Sequence, residues 1–382
     1  MKIAVVKERF PGERRVALTP ANVPQLAKAG MDTLVEAGAG VEAGFPDQQY
    51  SDKGATIVPD LAAAMQAEIV LQVRSAGMDL NSGEATRAMV RAQQIVIGSC
   101  DPLGKPQVIA HWASTGATLF SLELIPRITR AQSMDVLSSQ ATIAGYRAVL
   151  VAATELPKMF PMMMTAAGTL AAVKVFVIGA GVAGLQAIAT ARKLGAIVSA
   201  YDVRPACREQ VESLGGKFVE LEIDAGSSED KGGYAKAMDE EFYRRQRELL
   251  ASVVAHSDVV ITTAAIPGRP SPLLVTGDAV RRMPPGGVII DLAAERGGNC
   301  ELSRPDERVV EQGITILGPT NLAADIPNHA SQMLGNNVVK FLLNMVKDGS
   351  LNLDLEDEVI RETMVTHAGQ VSSERIQALL SA

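Results

Sequence analysis

Val175-Phe176-Val177-Ile178-Gly179-Ala180-Gly181-Val182-Ala183-Gly184 is a four-residue apolar run that enters three glycines at the spacing G-x-G-x-x-G, with helix-forming residues from Leu185 to Leu194 behind it. It reads as strand, tight turn and helix. Gly179 allows the turn, Gly181 lets backbone N–H groups of the Val182-Ala183 turn approach a pyrophosphate, Gly184 lets helix pack on strand, and the helix N-terminus adds partial positive charge. The next strand ends in Tyr201-Asp202-Val203-Arg204, which puts an acid about twenty residues beyond the fingerprint, where it accepts from a ribose 2′-OH and repels a 2′-phosphate. NAD(H) is therefore expected over NADP(H), with Arg204 pulling the other way. A different nucleotide ligand or a purely structural turn is the alternative.

Outward from this stretch, β-rich runs recur at Ile197 to Ala200, Lys217 to Val219, Val259 to Thr262, Val288 to Asp291 and Ile314 to Leu317. With Val175 to Ile178 they make six strands, as a sheet of two mononucleotide-binding halves requires. The first third of the chain holds a matching series, Ile3 to Val6, Thr33 to Glu36, Ala55 to Val58, Ile69 to Val73, Ile95 to Gly98 and Ala117 to Leu122, with helical segments between. Thr19, Pro20 and Gly30 punctuate the first of these helices. The fold expected is α/β: two doubly wound Rossmann-like domains with parallel sheets and a cleft between them. Arg130 to Pro161 reads as a helical connection, and His329 to Lys347 as a helix that returns the tail to the first domain. The boundaries expected are 1-138 plus 328-382 for the first domain and 139-327 for the NAD(H)-binding one.

A chain of 382 residues allows two or three units at roughly 100–200 residues each, and its 47% hydrophobic and 21% charged content is that of a folding protein. The net charge of −7 comes without a basic tract, and aromatics are 4%, which argues against nucleic acid and against a polybasic membrane anchor. Cys100, Cys207 and Cys300 are odd in number and widely spaced, so neither a disulfide framework nor a metal site is expected. With the strand-like Lys2 to Val6 directly after Met1, neither a leader nor direct membrane insertion is expected. From Glu220 to Leu250 the chain is Gly-rich and then densely charged, too long for a simple connection. It is either a solvated insertion or a mobile lid with Gly232-Gly233 as hinge and Tyr234 as the group delivered.

A second candidate site is Arg127-Ile128-Thr129-Arg130-Ala131-Gln132-Ser133-Met134-Asp135-Val136-Leu137-Ser138. Arg127, Gln132, Asp135 and Ser138 suit a hydrogen-bonded cluster in which Asp135 fixes Arg127 and the Gln132 amide reaches a ligand. Helix capping and ion pairing explain the same residues equally well. Thr263 and Ala264, and the loop after Asp291, end neighbouring strands and are expected to flank the cofactor by the switch-point rule. Met162-Met163-Met164 reads as core or hinge filling before pocket lining. Cys300 reads as a non-catalytic thiol, and His111, His256, His329 and His367 as surface or helix-face residues.

Arg130 to Asp135, Phe160 to Thr169, Gly179 to Ala191 and Gly232-Gly233-Tyr234-Ala235-Lys236 together resemble the NAD(H)-binding subunit of proton-translocating nicotinamide nucleotide transhydrogenases, over nearly the whole chain. The resemblance implies that Arg127, Gln132, Asp135 and Ser138 contact the nicotinamide, that Asp202 holds the adenosine ribose, and that Gly233 and Tyr234 close over the nucleotide. It implies a homodimer at the cytoplasmic face of the inner membrane, with NAD(H) bound here and NADP(H) on a partner subunit. Separate membrane-spanning subunits would move protons, and the reaction would be of the Re/Si-specific type. Alanine dehydrogenases are relatives that share Arg15-Val16-Ala17-Leu18-Thr19-Pro20, but this chain has Arg74 where they place lysine and Ser99-Cys100 where they place histidine. Hydride transfer between two nicotinamides moves no proton at the reacting carbons, so it needs alignment rather than a base. An amino-acid dehydrogenase with altered acid/base chemistry and a non-catalytic NAD-binding regulator are the competing classes.

Overall fold

Strand Lys174–Ile178 lies inside a seven-stranded sheet in the computed structural model of the chain, which describes residues 1–78, 82–220, 240–266, 268–347 and 350–381. The sheet order is Lys217–Phe218, Ile197–Tyr201, Lys174–Ile178, Val259–Thr262, Val288–Asp291, Ile314–Leu317, Arg308–Glu311. The first six strands are parallel and follow the 3-2-1-4-5-6 order of a dinucleotide-binding sheet. The central strands, as at Val175 to Ile178, Val259 to Ile261 and Val288 to Ile290, read as unbroken apolar runs because both faces are covered. Val175, Val177, Val259 and Ile261 enter one core with Ala187 and Ile188, while Phe176, Ile178 and Val260 enter another with Leu250 and Val254.

Arg308–Glu311 is an antiparallel edge strand that the sequence reading passed over. Charged residues at both of its ends hide it, and they also discourage further strands from adding there. Helix Glu240–Val254 corrects the reading of 220 to 250 as one insertion: Phe242, Gln246, Leu250 and Val254 are buried four residues apart on one helical face. The lid residues Gly232, Gly233 and Tyr234 lie outside the described residues. Met162 and Met164 are 60% and 77% exposed, on a two-stranded hairpin of Met163–Thr165 and Gly168–Leu170, so they are not core filling.

This sheet belongs to a unit of residues Ala141–Leu322; a second unit comprises Met1–Gln140 and Ala323–Ala382. In the second unit the strands run Thr56–Val58, Asp32–Glu36, Lys2–Val5, Ile69–Arg74, Ile95–Ser99, Thr118–Ser121, all parallel and again in 3-2-1-4-5-6 order. Two antiparallel strands missed in the sequence, Met364–His367 and Gln370–Val371, extend that sheet beyond Thr118–Ser121. Helix Pro327–Asn344 buries Leu334, Val338, Phe341 and Leu342 against Ile3, Ile69 and Ile97. It stops short of Lys347, since Val346–Lys347 pairs with Ser350–Leu351. Among the described residues only helix Val136–Glu155 is long and apolar enough to cross a bilayer; its Ala148, Val149 and Ala152 are buried in the core of the seven-stranded sheet.

Strand order in this unit reverses between Lys2–Val5 and Ile69–Arg74, and charge fills the carboxyl end of that switch point. Glu13 accepts from Arg15 Nη2 at 2.7 Å and from Arg74 Nε at 3.0 Å, with all three side chains buried. Arg15 Nη1 donates to Gln140 Oε1 at 2.8 Å, and the Arg74 guanidinium lies 4.2 Å from the Phe10 ring centre. Glu8 accepts from the Val73 and Arg74 backbone N–H groups at 2.6 and 3.2 Å. Burial, then the Glu13 charge, pushes Glu8 from 4.5 up to about 8. Burial pushes Glu13 the same way, but its hydrogen bonds to Arg15 and the Arg15 and Arg74 charges outweigh this and bring it down to about 2.

Linkage gives the two acids opposite signs. Glu8 holds its proton more tightly when folded, so its contribution is complete below pH 4.5 and is lost as the pH rises towards about 8. Glu13 contributes fully above pH 4.5 and loses that as the pH falls towards about 2. Glu8→Gln, which cannot ionise, is expected to lose less thermal stability than wild type between pH 5 and pH 8. Parallel Tm-against-pH curves for the two proteins would show that Glu8 titrates normally.

Candidate functional site

Gly179 has φ +98° and donates its N–H to Tyr201 O at 2.8 Å, so the chain turns sharply at the strand end. A Cβ added at Gly184 would lie 1.8 Å from the Gly179 carbonyl oxygen, which makes Gly184 the contact between helix and strand. At Gly181 an added Cβ would meet nothing within 4 Å, so the backbone there faces open space. Gly181 is the N-cap of helix Val182–Lys193 and makes no side-chain cap. The N–H groups of the first turn, at Val182 and Ala183, thus have no capping side chain and the dipole's positive end is open, the arrangement an anionic phosphate group fits.

Asp202, buried at the end of Ile197–Tyr201, ties this loop to the next strand. Its Oδ2 accepts from Ala180 N at 2.7 Å and from Arg204 Nη2 at 2.9 Å, and its Oδ1 accepts from Arg204 N and Nε at 2.8 and 2.9 Å. Arg204 is therefore engaged with Asp202 through its fork, with Val203 half-buried between them. That geometry turns the arginine towards the acid instead of presenting it to a 2′-phosphate. On the other flank, Thr263 N donates to Ile178 O at 2.8 Å and its Oγ1 donates to Gly179 O at 3.0 Å. Ala264 is held at both ends by one buried amide: Asn299 Oδ1 accepts from Ala264 N and Asn299 Nδ2 donates to Ala264 O, at 3.0 and 2.9 Å. Asn299 N in turn donates to buried Asp291, which also accepts from Thr262 Oγ1 and Ser303 Oγ. Cys300 beside it is buried, and burial pushes its thiol up to about 12, so it stays protonated.

Two residues of this site were missed in the sequence. Asn299 was read only as part of a loop, and a glycine-rich turn gives no sign that its asparagine clamps another strand end. Gly145 is the single glycine of helix Val136–Glu155, and an added Cβ there would fall 2.1 Å from the Ala183 carbonyl oxygen. The fingerprint helix is thus packed backbone to backbone from outside its own βα unit. A glycine amid good helix formers was the available signal.

The second candidate cluster lies in the other unit. Asp135 accepts from Ser138 N at 2.9 Å on Oδ1 and from Ser138 Oγ at 2.6 Å on Oδ2, which caps the first turn of helix Val136–Glu155. Arg127 and Gln132 are exposed, whereas Ala131 and Met134 on either side of Gln132 are buried. The structure thus brings Asp135 and Ser138 together and projects Gln132 outward from an anchored turn. His111, His256, His329 and His367 are all exposed. Among the described residues no group of three or more His, Cys, Asp or Glu is placed to hold a metal ion.

Residues 4–144 match the N-terminal domain, and residues 148–374 the C-terminal domain, of the family described as alanine dehydrogenase/PNT. The chain belongs to the alanine dehydrogenase/PNT family. Within it, the chain is 46% identical over 375 residues to an NAD(P) transhydrogenase subunit alpha protein of Rhodospirillum rubrum, with 97% of each chain covered. A transhydrogenase structure from Sinorhizobium meliloti superposes with TM-score 0.85 at 44% identity, covering 98% of this chain and 99% of that one. An L-alanine dehydrogenase shares the fold, with TM-score 0.81 at 24% identity over 100% and 99% of the two chains. The transhydrogenase resemblance and the alanine dehydrogenase relationship read from the motifs both hold, as does the parallel-sheet, two-domain α/β fold.

Gly145→Ala is expected to destabilise this family member by about 1–3 kcal/mol, the usual cost of forcing a methyl into a packed contact. Chemical denaturation followed by circular dichroism measures it. A stability equal to wild type would mean that helices Val136–Glu155 and Val182–Lys193 are not tightly packed at this point.

Proposed function

We propose that the chain binds NAD(H) and passes hydride to or from NADP(H) held on a separate subunit, as a component of a proton-translocating transhydrogenase of the Re/Si-specific type. The observation that carries this reading is the chemistry at Ser99-Cys100. Where alanine dehydrogenases are expected to carry a histidine acid/base, this chain has a fully buried thiol that burial, then the Glu123 charge, pushes well above its ordinary value. Cys100 therefore offers neither a base nor a nucleophile, and the four histidines are exposed elsewhere. Exchange of hydride between two nicotinamides asks for neither.

The residues fit a dinucleotide: an uncapped helix N-terminus, open space at Gly181 and a buried acid at the following strand end. NAD(H), when bound, supplies the ring carbon that gives or takes hydride. In this proposal Gly179, Gly181, Val182, Ala183 and Gly184 hold the pyrophosphate, and Asp202 with Val203 and Arg204 holds the adenosine ribose. Thr263 and Ala264 border the nucleotide. Gln132 donates and accepts through its amide to align the nicotinamide, while Asp135 and Ser138 stiffen its loop and Arg127 adds a polar contact. Gly233 and Tyr234 are assigned to closure over the nucleotide and exclusion of water. The membrane-crossing and proton-moving parts belong to partner subunits, which would hold this chain at the cytoplasmic face of the inner membrane.

Reconstitution with an NADP(H)-binding subunit tests the proposal. Hydride transfer from NADH to an NADP analogue is expected only with that partner present; turnover of alanine, or of pyruvate and ammonia, without it would favour an amino-acid dehydrogenase. Gln132→Asn shortens the arm by one methylene and is expected to bind NADH within a few-fold of wild type. Its transfer rate should fall roughly 10²-fold, because register at the reacting atoms matters more than affinity. Stopped-flow rates near wild type would make Gln132 a structural loop residue.

Self-association into a homodimer is supported by the hairpin of Met163–Thr165 and Gly168–Leu170, around which Met162, Met164 and Leu170 are all exposed. Met164→Glu is expected to shift the sedimenting species from dimer towards a 40.3 kDa monomer at micromolar concentration. A wild-type protein that already sediments as monomer would remove the dimer from the proposal.

A further inference from the structure

The turn that carries Gln132, Thr129–Met134, is fastened to helix Pro327–Asn344 by more than apolar packing. Ala131 and Met134 enter the core with Leu334, Val338 and Phe341, and between them Gln132 and Ser133 face outward. Asn337, one residue before Val338, donates from Nδ2 to the Ser133 carbonyl oxygen at 2.8 Å. Asn337 is only 8% exposed, and its Oδ1 is buried with no hydrogen-bond partner. At the other end of the turn, Arg130 reaches Asp357 with Nη2 to Oδ1 at 2.5 Å and Nη1 to Oδ2 at 3.2 Å, and Asn344 Nδ2 donates to the same carboxylate at 3.1 Å.

A buried amide with an unpaired oxygen is a poor choice for stability alone. Leaving that oxygen without a donor costs more than the single bond to Ser133 returns. A leucine of similar size among Leu334, Val338 and Phe341 would avoid the unpaired oxygen, and the carbonyl of exposed Ser133 would find water instead. What leucine cannot do is fix where the Ser133 peptide sits, and with it the peptide of Gln132 immediately before. From the position of this amide we infer that Asn337 is a positioning residue for Gln132: it trades stability for the placement of the turn. The inference rests on the assignment of Gln132 to nicotinamide alignment.

Asn337→Leu removes the donor and the unpaired oxygen together. Asn337→His restores a donor, since the imidazole Nδ1 stands about where Nδ2 does. Four quantities are measured: Tm and amide hydrogen exchange of Thr129 to Met134 on the full chain and, in the complex reconstituted with the NADP(H)-binding subunit, NADH affinity and the hydride-transfer rate. Asn337→Leu is expected to keep or raise Tm, to exchange faster in the turn alone, and to bind NADH within about three-fold of wild type while transfer falls about tenfold or more. Asn337→His is expected to recover most of both turn protection and rate. Unchanged exchange in the turn, an unchanged rate, or losses in Tm and affinity that parallel the loss in rate would each overturn the positioning role. A wild-type complex that transfers no hydride overturns the functional reading instead, and the exchange measurement still decides whether Asn337 holds the turn.

Discussion

Helix Val182–Lys193 meets strand Lys174–Ile178 at a distance that excludes even a methyl group, and the candidate nucleotide site depends on that closeness. With Gly184 against the Gly179 carbonyl, the helix starts directly over the strand end and its first N–H groups face outward. Asp202 then binds the Ala180 N–H from the neighbouring strand, and Thr263 binds the Gly179 carbonyl from the other. Gly145 presses on the same helix from the connecting segment. Three elements distant in sequence converge on the six residues from Gly179 to Gly184.

The two sheets share one strand order and differ in what stands at their switch points. In the fingerprint unit the strand ends carry glycine, uncapped N–H groups and one acid, and so leave space for an anion. In the other unit, Glu13 answers the charges of Arg15 and Arg74, set between their two guanidinium groups, while Glu8 accepts from the backbone at the end of the neighbouring strand. A carboxylate of the protein already occupies the place where a doubly wound sheet commonly receives a ligand's charge. The same architecture therefore produces an open, backbone-lined end and a closed, side-chain-filled one. The difference lies in which residues follow the first strand: Gly179-Ala180-Gly181 in one case, Glu8 and Glu13 in the other.

The twelve parallel strands among the described residues were legible in the sequence, the central ones most plainly, because a strand buried on both faces is apolar, as Val259 to Ile261 and Val288 to Ile290 are. The edge strands were not. Arg308–Glu311 and Met364–His367 mix charged, polar and apolar residues over four positions, which is too short for alternation to stand out. The glycine fingerprint announced itself because its spacing has a single mechanical explanation. Asn299, Gly145 and Asn337 did not, since each acts on a partner far away in the chain and no local pattern encodes that partner. Met162 and Met164 misled because apolar composition resembles core until a hairpin is seen to leave them exposed.

Strand Met364–His367 pairs with Thr118–Ser121 across 247 residues of sequence, and Leu119 N also donates to Thr366 Oγ1 at 3.2 Å. On the ribosome, Ala141–Leu322 emerges as one continuous stretch with its whole sheet and can close on itself while synthesis continues. The unit that contains Met1–Gln140 must wait with an unfinished sheet edge until Met364 to Val371 are made. Birth order and folding order are thus inverted for these two units, with Ala141–Leu322 free to become native before Met1–Gln140. For as long as that edge waits, Thr118–Ser121 is the place where a nascent chain is most open to mispairing with a neighbour, or to a chaperone that covers it.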